Sequence, residues 1–111
     1  MVRQGDIIKI NFNPTLGSEQ SGYRPAVVIS NNLLISKTNI ICICPITSKV
    51  SKKTALNVII DEEYGTALCA HVRSVDIKAR DYKVVGKLSD AKLHEVLYTI
   101  ISTFEPLEAK I

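Results

Sequence analysis

Tryptophan is absent, and Phe and Tyr together leave only 5% of the 111 residues aromatic. A core built from this chain must be packed from aliphatic side chains, and its many Ile and Val favour strands. Cysteine is scarce and odd in number, three in all, which argues against a closed disulfide framework and for a reducing compartment. No apolar run approaches the roughly 20 residues that cross a bilayer. The opening Met1-Val2-Arg3-Gln4-Gly5-Asp6 holds no apolar signal core. The expectation is a cytoplasmic protein without a membrane segment. Charge of one sign is also in short supply: 14 Lys and Arg stand against 11 Asp and Glu, a net +3. That permits an anionic partner, but falls short of the excess carried by proteins that neutralise phosphates indiscriminately. Internal repeats and low-complexity segments are missing as well.

What is present is an ordinary globular composition, 46% apolar, over a length that suits one domain, residues 1–111. Residues Ile7 to Phe12 read as a strand, with Ile8, Ile10 and Phe12 alternating against Ile7, Lys9 and Asn11. Asn13 to Tyr23 contains Pro14, Gly17 and Gly22 and reads as a loop longer than a hairpin needs. Arg24 and Pro25 lead into an apolar run, Ala26 to Ser30, with Pro25 where a missing donor costs least. Asn31 to Thr38 is a turn or one short helical turn. Asn39 to Ile46 is apolar on both faces, hence a buried strand. Thr47 to Thr54 is a polar loop, and Leu56 to Ile60 a strand ended by Asp61, Glu62 and Glu63. Ala67 to Ile77 is strand-like throughout, and Val84 to Leu88 is a last short strand. Ser89 can cap a closing helix whose Leu93, Val96, Leu97, Ile100, Ile101 and Phe104 recur at helical spacing. Pro106 lies just past its end. Short strands followed by one helix predict a mainly β protein, a small twisted barrel or half-barrel closed on one side by a C-terminal helix.

Three segments go further. The first runs Gly5-Asp6-Ile7-Ile8, then Asn13-Pro14-Thr15-Leu16-Gly17-Ser18-Glu19-Gln20, then Gly22-Tyr23-Arg24-Pro25-Ala26-Val27-Val28-Ile29-Ser30. The others are Pro45-Ile46-Thr47-Ser48 and Val72-Arg73-Ser74-Val75-Asp76. In order and spacing the chain resembles the MazF/PemK toxin family over most of its length. The resemblance implies an SH3-like barrel of the MazF/PemK/CcdB type and a homodimer with single-stranded RNA bound across the dimer face. It also implies a MazE-like antitoxin whose disordered tail occupies the RNA groove. The activity it implies is a sequence-specific endoribonuclease working without a cofactor or metal. The RNA's own 2′-hydroxyl attacks the adjacent phosphorus, leaving a 2′,3′-cyclic phosphate and a 5′-hydroxyl.

Such chemistry needs a proton removed, negative charge on the phosphorane stabilised and the leaving oxygen protonated. Arg24 stands where a loop meets a strand, and its guanidinium can hold two phosphate oxygens at once. Surface arginines more often make a loop ion pair; the resemblance implies that this one is catalytic, by charge stabilisation. Thr47 ends a buried strand, and its hydroxyl can donate to a phosphate oxygen. Only the resemblance raises it above an ordinary β-branched strand end. Ser18, Glu19 and Gln20 in the first loop are candidates to contact RNA or orient Arg24, or else are solvated. Some relatives carry a histidine in that loop; this chain has none there. Arg73 and Asp76 resemble a pair used near the phosphate, and serve equally well as a structural ion pair. Two residues before Arg73, His71 would share its face on a continuous strand. Lys49, Lys52 and Lys53 form a basic loop able to steer an RNA backbone. Tyr23, Tyr64 and Tyr82 are able to stack bases. Cys42, Cys44 and Cys69 read as small buried hydrophobes, since their spacing is not that of a zinc site. The competing functions are a CcdB-like topoisomerase poison, a non-catalytic SH3-like binding module and an inactive dimeric scaffold.

Overall fold

The computed structural model describes residues 1–12, 22–49 and 56–106. Of the candidate RNA contacts, Ser18, Glu19, Gln20, Lys52 and Lys53 lie outside the described residues. Within them the order is β1 (Asp6–Asn11), β2 (Tyr23–Val28), α1 (Asn32–Lys37), β3 (Ile40–Thr47), β4 (Asn57–Asp61), β5 (Gly65–Leu68), a 3₁₀ turn (Cys69–His71), β6 (Arg73–Asp76), β7 (Tyr82–Lys87) and α2 (Asp90–Phe104). The strands form one antiparallel sheet ordered β4-β5-β3-β2-β1-β7, with β6 also paired to β3.

Alternation builds two apolar layers from the same strands. Ile7, Val27, Cys44 and Ile46 point to one face, where Val96 and Ile100 of α2 cover them. Ile8, Ile10, Ala26, Val28, Ile41 and Ile43 point to the other, with Phe12 and Val75. Ser89 caps α2 by accepting from the Lys92 amide at 3.1 Å, and Lys92 Nζ donates to the Ile59 carbonyl at 2.8 Å, pinning the helix to β4. The sheet curls until its ends meet. The Tyr64 hydroxyl, at the β4–β5 turn, donates to the Val85 carbonyl of β7 at 3.3 Å. Gly86 leaves the room that the Tyr64 ring fills.

Two segments differ most from the sequence reading. β2 begins at Tyr23 rather than at Pro25, because Tyr23 and Arg24 already pair with Asn11 and Ile10 of β1. The β3 ladder starts only at Ala26, so on that side no ladder partner waits for the donor that Pro25 lacks. Ala67 to Ile77 is not one strand. β3 changes partner along its length, pairing Ile40–Ile43 with β6 and Ile46–Thr47 with β5. Cys69–His71 turns as 3₁₀ helix to carry the chain between the two. Pro45 occupies the gap between those partners, where a missing amide costs no ladder bond.

Candidate active site

Arg24 and Thr47 lie 23 positions apart in the chain, yet the sheet puts them on one line. Ala26 of β2 faces Pro45 of β3, the last pair of that ladder; Arg24 and Thr47 each lie two residues beyond it at the same end, so alternation puts both on the face of Ala26 and Pro45. Arg24 in turn faces Ile10 of β1, and Ile10 faces Tyr82 of β7. Thr47, Arg24, Ile10 and Tyr82 thus form a row across four strands. By alternation all four belong to the face of Ile8, Ala26 and Val28.

Local structure explains why this row can hold functional groups. β2 runs from buried Val28 to exposed Arg24 and Tyr23, so the strand leaves the core just where Arg24 begins. The arginine is carried by a ladder rather than by a free loop, which limits its freedom. Thr47 is half-buried at the end of β3. Its Oγ1 accepts a long hydrogen bond from the Lys49 amide at 3.5 Å, which leaves the hydroxyl proton available for an anion. Lys49 itself is exposed, and its carbonyl accepts from the fully buried Thr66 hydroxyl at 2.9 Å. The start of the basic loop is therefore fastened to β5. Gly65, with φ +101°, sits so close that an added methyl would collide with the Thr47 carbonyl.

Arg73 belongs to the same face. It pairs with Ile43, and its guanidinium carbon lies 4.9 Å from the centre of the Phe12 ring, a cation–π contact that fixes its direction. Asp76 does not join it. Three residues along β6 it points to the opposite face, where its Oδ1 accepts from the Lys78 amide at 3.0 Å. The Arg73–Asp76 pair expected from the sequence is thus split by the pleat. His71 does not share a strand face with Arg73 either, because it lies in the 3₁₀ turn.

Openings lie at both ends of the row, the first lined largely by residues of the opposite face. An open groove of about 470 Å³ touches Arg24 and Ser48, with Lys9, Tyr23, Pro25, Glu63, Tyr64 and Val85 completing its lining. A hollow of about 700 Å³ lies beside Tyr82. The Tyr23 phenol ionises above its ordinary range, because it is partly desolvated and because the Asp81 carboxylate beside it accepts its proton in a hydrogen bond. The cysteines take no part. Cys44 and Cys69 are buried in the α2-side core. The Cys44 thiol is held protonated by its hydrogen bond to Cys69 and by burial. Cys42 lies against the Ser74 hydroxyl at 3.6 Å. Among the described residues no three potential metal ligands converge.

The model of the PemK-like, MazF-like toxins of type II toxin–antitoxin systems matches residues 3–104. The chain belongs to this family. The match spans both halves of the row, Arg24 and Thr47 on one side and Tyr82 on the other. Among relatives, the chain is 37% identical over 91 residues to the endoribonuclease toxin MazF of Escherichia coli strain K12, covering 80% of this chain and 81% of that protein. The fold of this MazF-like toxin matches the crystal structure of MazF from Deinococcus radiodurans with a TM-score of 0.78 at 30% identity, covering 92% of this chain and 94% of that one. A MazE–MazF structure from the same organism matches with a TM-score of 0.78 at 28% identity over 92% and 94% of the two chains. The curled half-barrel with its terminal helix is therefore the architecture of the MazF structures. Phe12 and Gly65 were not singled out from the sequence. A phenylalanine ending an apolar strand and a glycine after an acidic turn carry no chemical signal until β3 brings Arg73 and Thr47 to them.

Proposed function

We propose that the chain acts as one domain and is an endoribonuclease that cuts single-stranded RNA at preferred sequences without a metal. The observation that carries this reading is the shared row and face of Arg24 and Thr47, with Arg73 on the same side. In the proposed reaction the 2′-hydroxyl attacks the neighbouring phosphorus, the P–O5′ bond breaks, and the products are a 2′,3′-cyclic phosphate and a 5′-hydroxyl. Arg24 holds two non-bridging oxygens and offsets the charge that grows on them. The arginine keeps its proton near neutral pH, since its pKa lies above about 12, so its role is electrostatic. Thr47 donates its hydroxyl proton to a phosphate oxygen, and Lys49 and Arg73 attract the adjoining backbone. Ser18, Glu19, Gln20, Lys52 and Lys53 complete the RNA-binding set, with Asp76 placed on the far face of β6.

The partners follow the same reading: a MazE-like antitoxin and a second copy of the chain. Support for the antitoxin is the likeness to MazE–MazF structures. Support for the homodimer is the apolar surface of α2, where Tyr98 is 74%, Ile101 59% and Phe104 76% exposed; a helix rarely leaves three such residues to water without a partner. No described helix is long and apolar enough to cross a membrane, and the three free cysteines suit a cytoplasmic setting.

The decisive experiment incubates purified protein with long single-stranded RNA in excess EDTA, beside Arg24→Ala. Cuts at a short recurring sequence, ending in cyclic phosphates and reduced at least about a thousand-fold in the variant, are expected, since an oxyanion-stabilising donor supplies about 10²–10³ in kcat and a charged bidentate one more. A folded wild-type protein that cuts no RNA, or an Arg24→Ala protein that cuts normally, overturns the reading.

A further inference from the structure

The row that holds Arg24 runs on past Ile10 to Tyr82. Two strand spacings of about 4.8 Å separate the outer residues, roughly 10 Å in all. That is the reach of a neighbouring nucleotide rather than of the scissile phosphate itself. Ile10 between them is fully buried in the second core, so the two outer residues are held in fixed relation by packed strands. Tyr82 is 38% exposed and forms one wall of the 700 Å³ hollow. Part of its lining is apolar, with Val2, Ile35 and Ile77 backed by the second core, while Thr38 and Asn39 are polar. Lys78 and Arg80 bring positive charge to its lining. The Arg80 guanidinium is anchored there by Nη1 donating to the Asn11 carbonyl at 3.0 Å. Asp81, the one acid in the lining, already accepts the Tyr23 hydroxyl.

We propose that Tyr82 and this hollow form a subsite for the base of a nucleotide flanking the cut, stacked on the Tyr82 ring with its phosphate towards Arg80 and Lys78. The proposal rests on the ribonuclease reading and deepens it. An aromatic wall, an apolar floor and cations at the rim are what one unpaired nucleotide needs: a face to stack on, a dry surface and charge for its phosphate. The volume falls in the range of pockets that bind small molecules, about 300–1,000 Å³. The other tyrosines are placed differently. Tyr64 lies on Gly86 with its hydroxyl on Val85. Tyr23 points to the opposite face and is tied to Asp81. Tyr98 stands on the outer surface of α2.

The test is a cycle between protein and substrate. Cleavage kinetics are measured for wild type, Tyr82→Phe and Tyr82→Ala on an oligonucleotide containing the preferred site, and on copies carrying one abasic nucleotide at each flanking position. Tyr82→Phe keeps the ring and should behave as wild type. Tyr82→Ala should raise KM about 5- to 150-fold with kcat little changed, the range expected for one base–aromatic stack. At one flanking position, removing the base should penalise the wild type by a similar factor and Tyr82→Ala hardly at all. A merely structural role for Tyr82 would leave the abasic penalties equal in both proteins. Equal penalties at every position, or an unchanged KM for Tyr82→Ala, overturn the subsite while leaving the ribonuclease standing. A wild-type protein that cuts nothing removes the ribonuclease and the subsite together. Undisturbed RNA kinetics with lost antitoxin binding would assign the hollow to a protein partner instead, which also overturns the proposal.

Discussion

Thr47 owes its position to a residue that no nuclease chemistry would single out. Gly65 takes φ +101° and presses its α-carbon against the Thr47 backbone. A side chain there would be strained by the dihedral and would push the end of β3 away from β5 and out of its place beside β2. Gly65→Ala should therefore cost about 2–4 kcal/mol, from left-handed strain together with overpacking. Thermal melting should show a drop of roughly 10 °C or more for a domain of this size. Cleavage should fall as well, measured below the melting temperature, because Thr47 loses its place on the face of Arg24. A variant that melts like wild type would show that β5 can move aside freely. At this scale Arg24 and Thr47 could be proposed from the sequence because each stands in a run of residues that resembles the family's. Asp76 does not share the face of Arg73, because an odd number of steps along a strand reverses the face, and the start of β6 was hidden inside a segment that reads as one continuous strand.

At the scale of elements, β1, β3, β4 and α2 agree closely with their apolar patterning, and Ser89 caps the helix as its position suggests. β7 starts at Tyr82, two residues earlier than its apolar content indicates, because backbone pairing with Ile10 and Lys9 does not depend on side-chain polarity. This earlier start has an energetic consequence. Lys9 and Lys83 stand directly opposite each other, and among the described residues the salt bridge is that of Lys92 with Glu95 at 3.2 Å, on α2. Like charges opposed across a ladder are destabilising. Lys83→Glu should raise stability by about 0.2–1 kcal/mol at low ionic strength, read as a higher urea midpoint. The gain should vanish near 1 M salt, where screening acts within about 3 Å. A midpoint unchanged at low salt would mean that the two ammonium groups already splay apart into water.

For the whole molecule, the curled sheet decides what each face can do. One face is closed by α2, whose inner residues Val96 and Ile100 are buried while Tyr98, Ile101 and Phe104 face outward. The other face carries the row from Thr47 to Tyr82. If the outer surface of α2 is where a second copy packs, Ile101→Asp should convert a dimer to a monomer at micromolar concentration in sedimentation, with the fold retained. Burying an aspartate without a partner in an apolar interface costs several kcal/mol, more than most such contacts tolerate. A wild-type protein that sediments as a monomer would rule out the homodimer. An Ile101→Asp protein that stays dimeric would place the contact elsewhere.

The amino-acid sequence by itself determined the class of the fold, the closing helix, the aliphatic core and the two residues on which the chemistry is proposed to turn. Those properties follow from local patterns: period-2 and period-3.6 spacing, capping residues, and short runs whose order is preserved along the chain. Only the tertiary structure decided which distant residues share a face. The change of partner along β3 split one apparent strand into β5 and β6, set Arg73 on Phe12 and turned Asp76 away. Strand register then placed Tyr82, alone among the candidate stacking residues, in the row of Arg24. Register is a relation between strands, fixed by packing both faces of the sheet at once, so no single segment of the chain contains it.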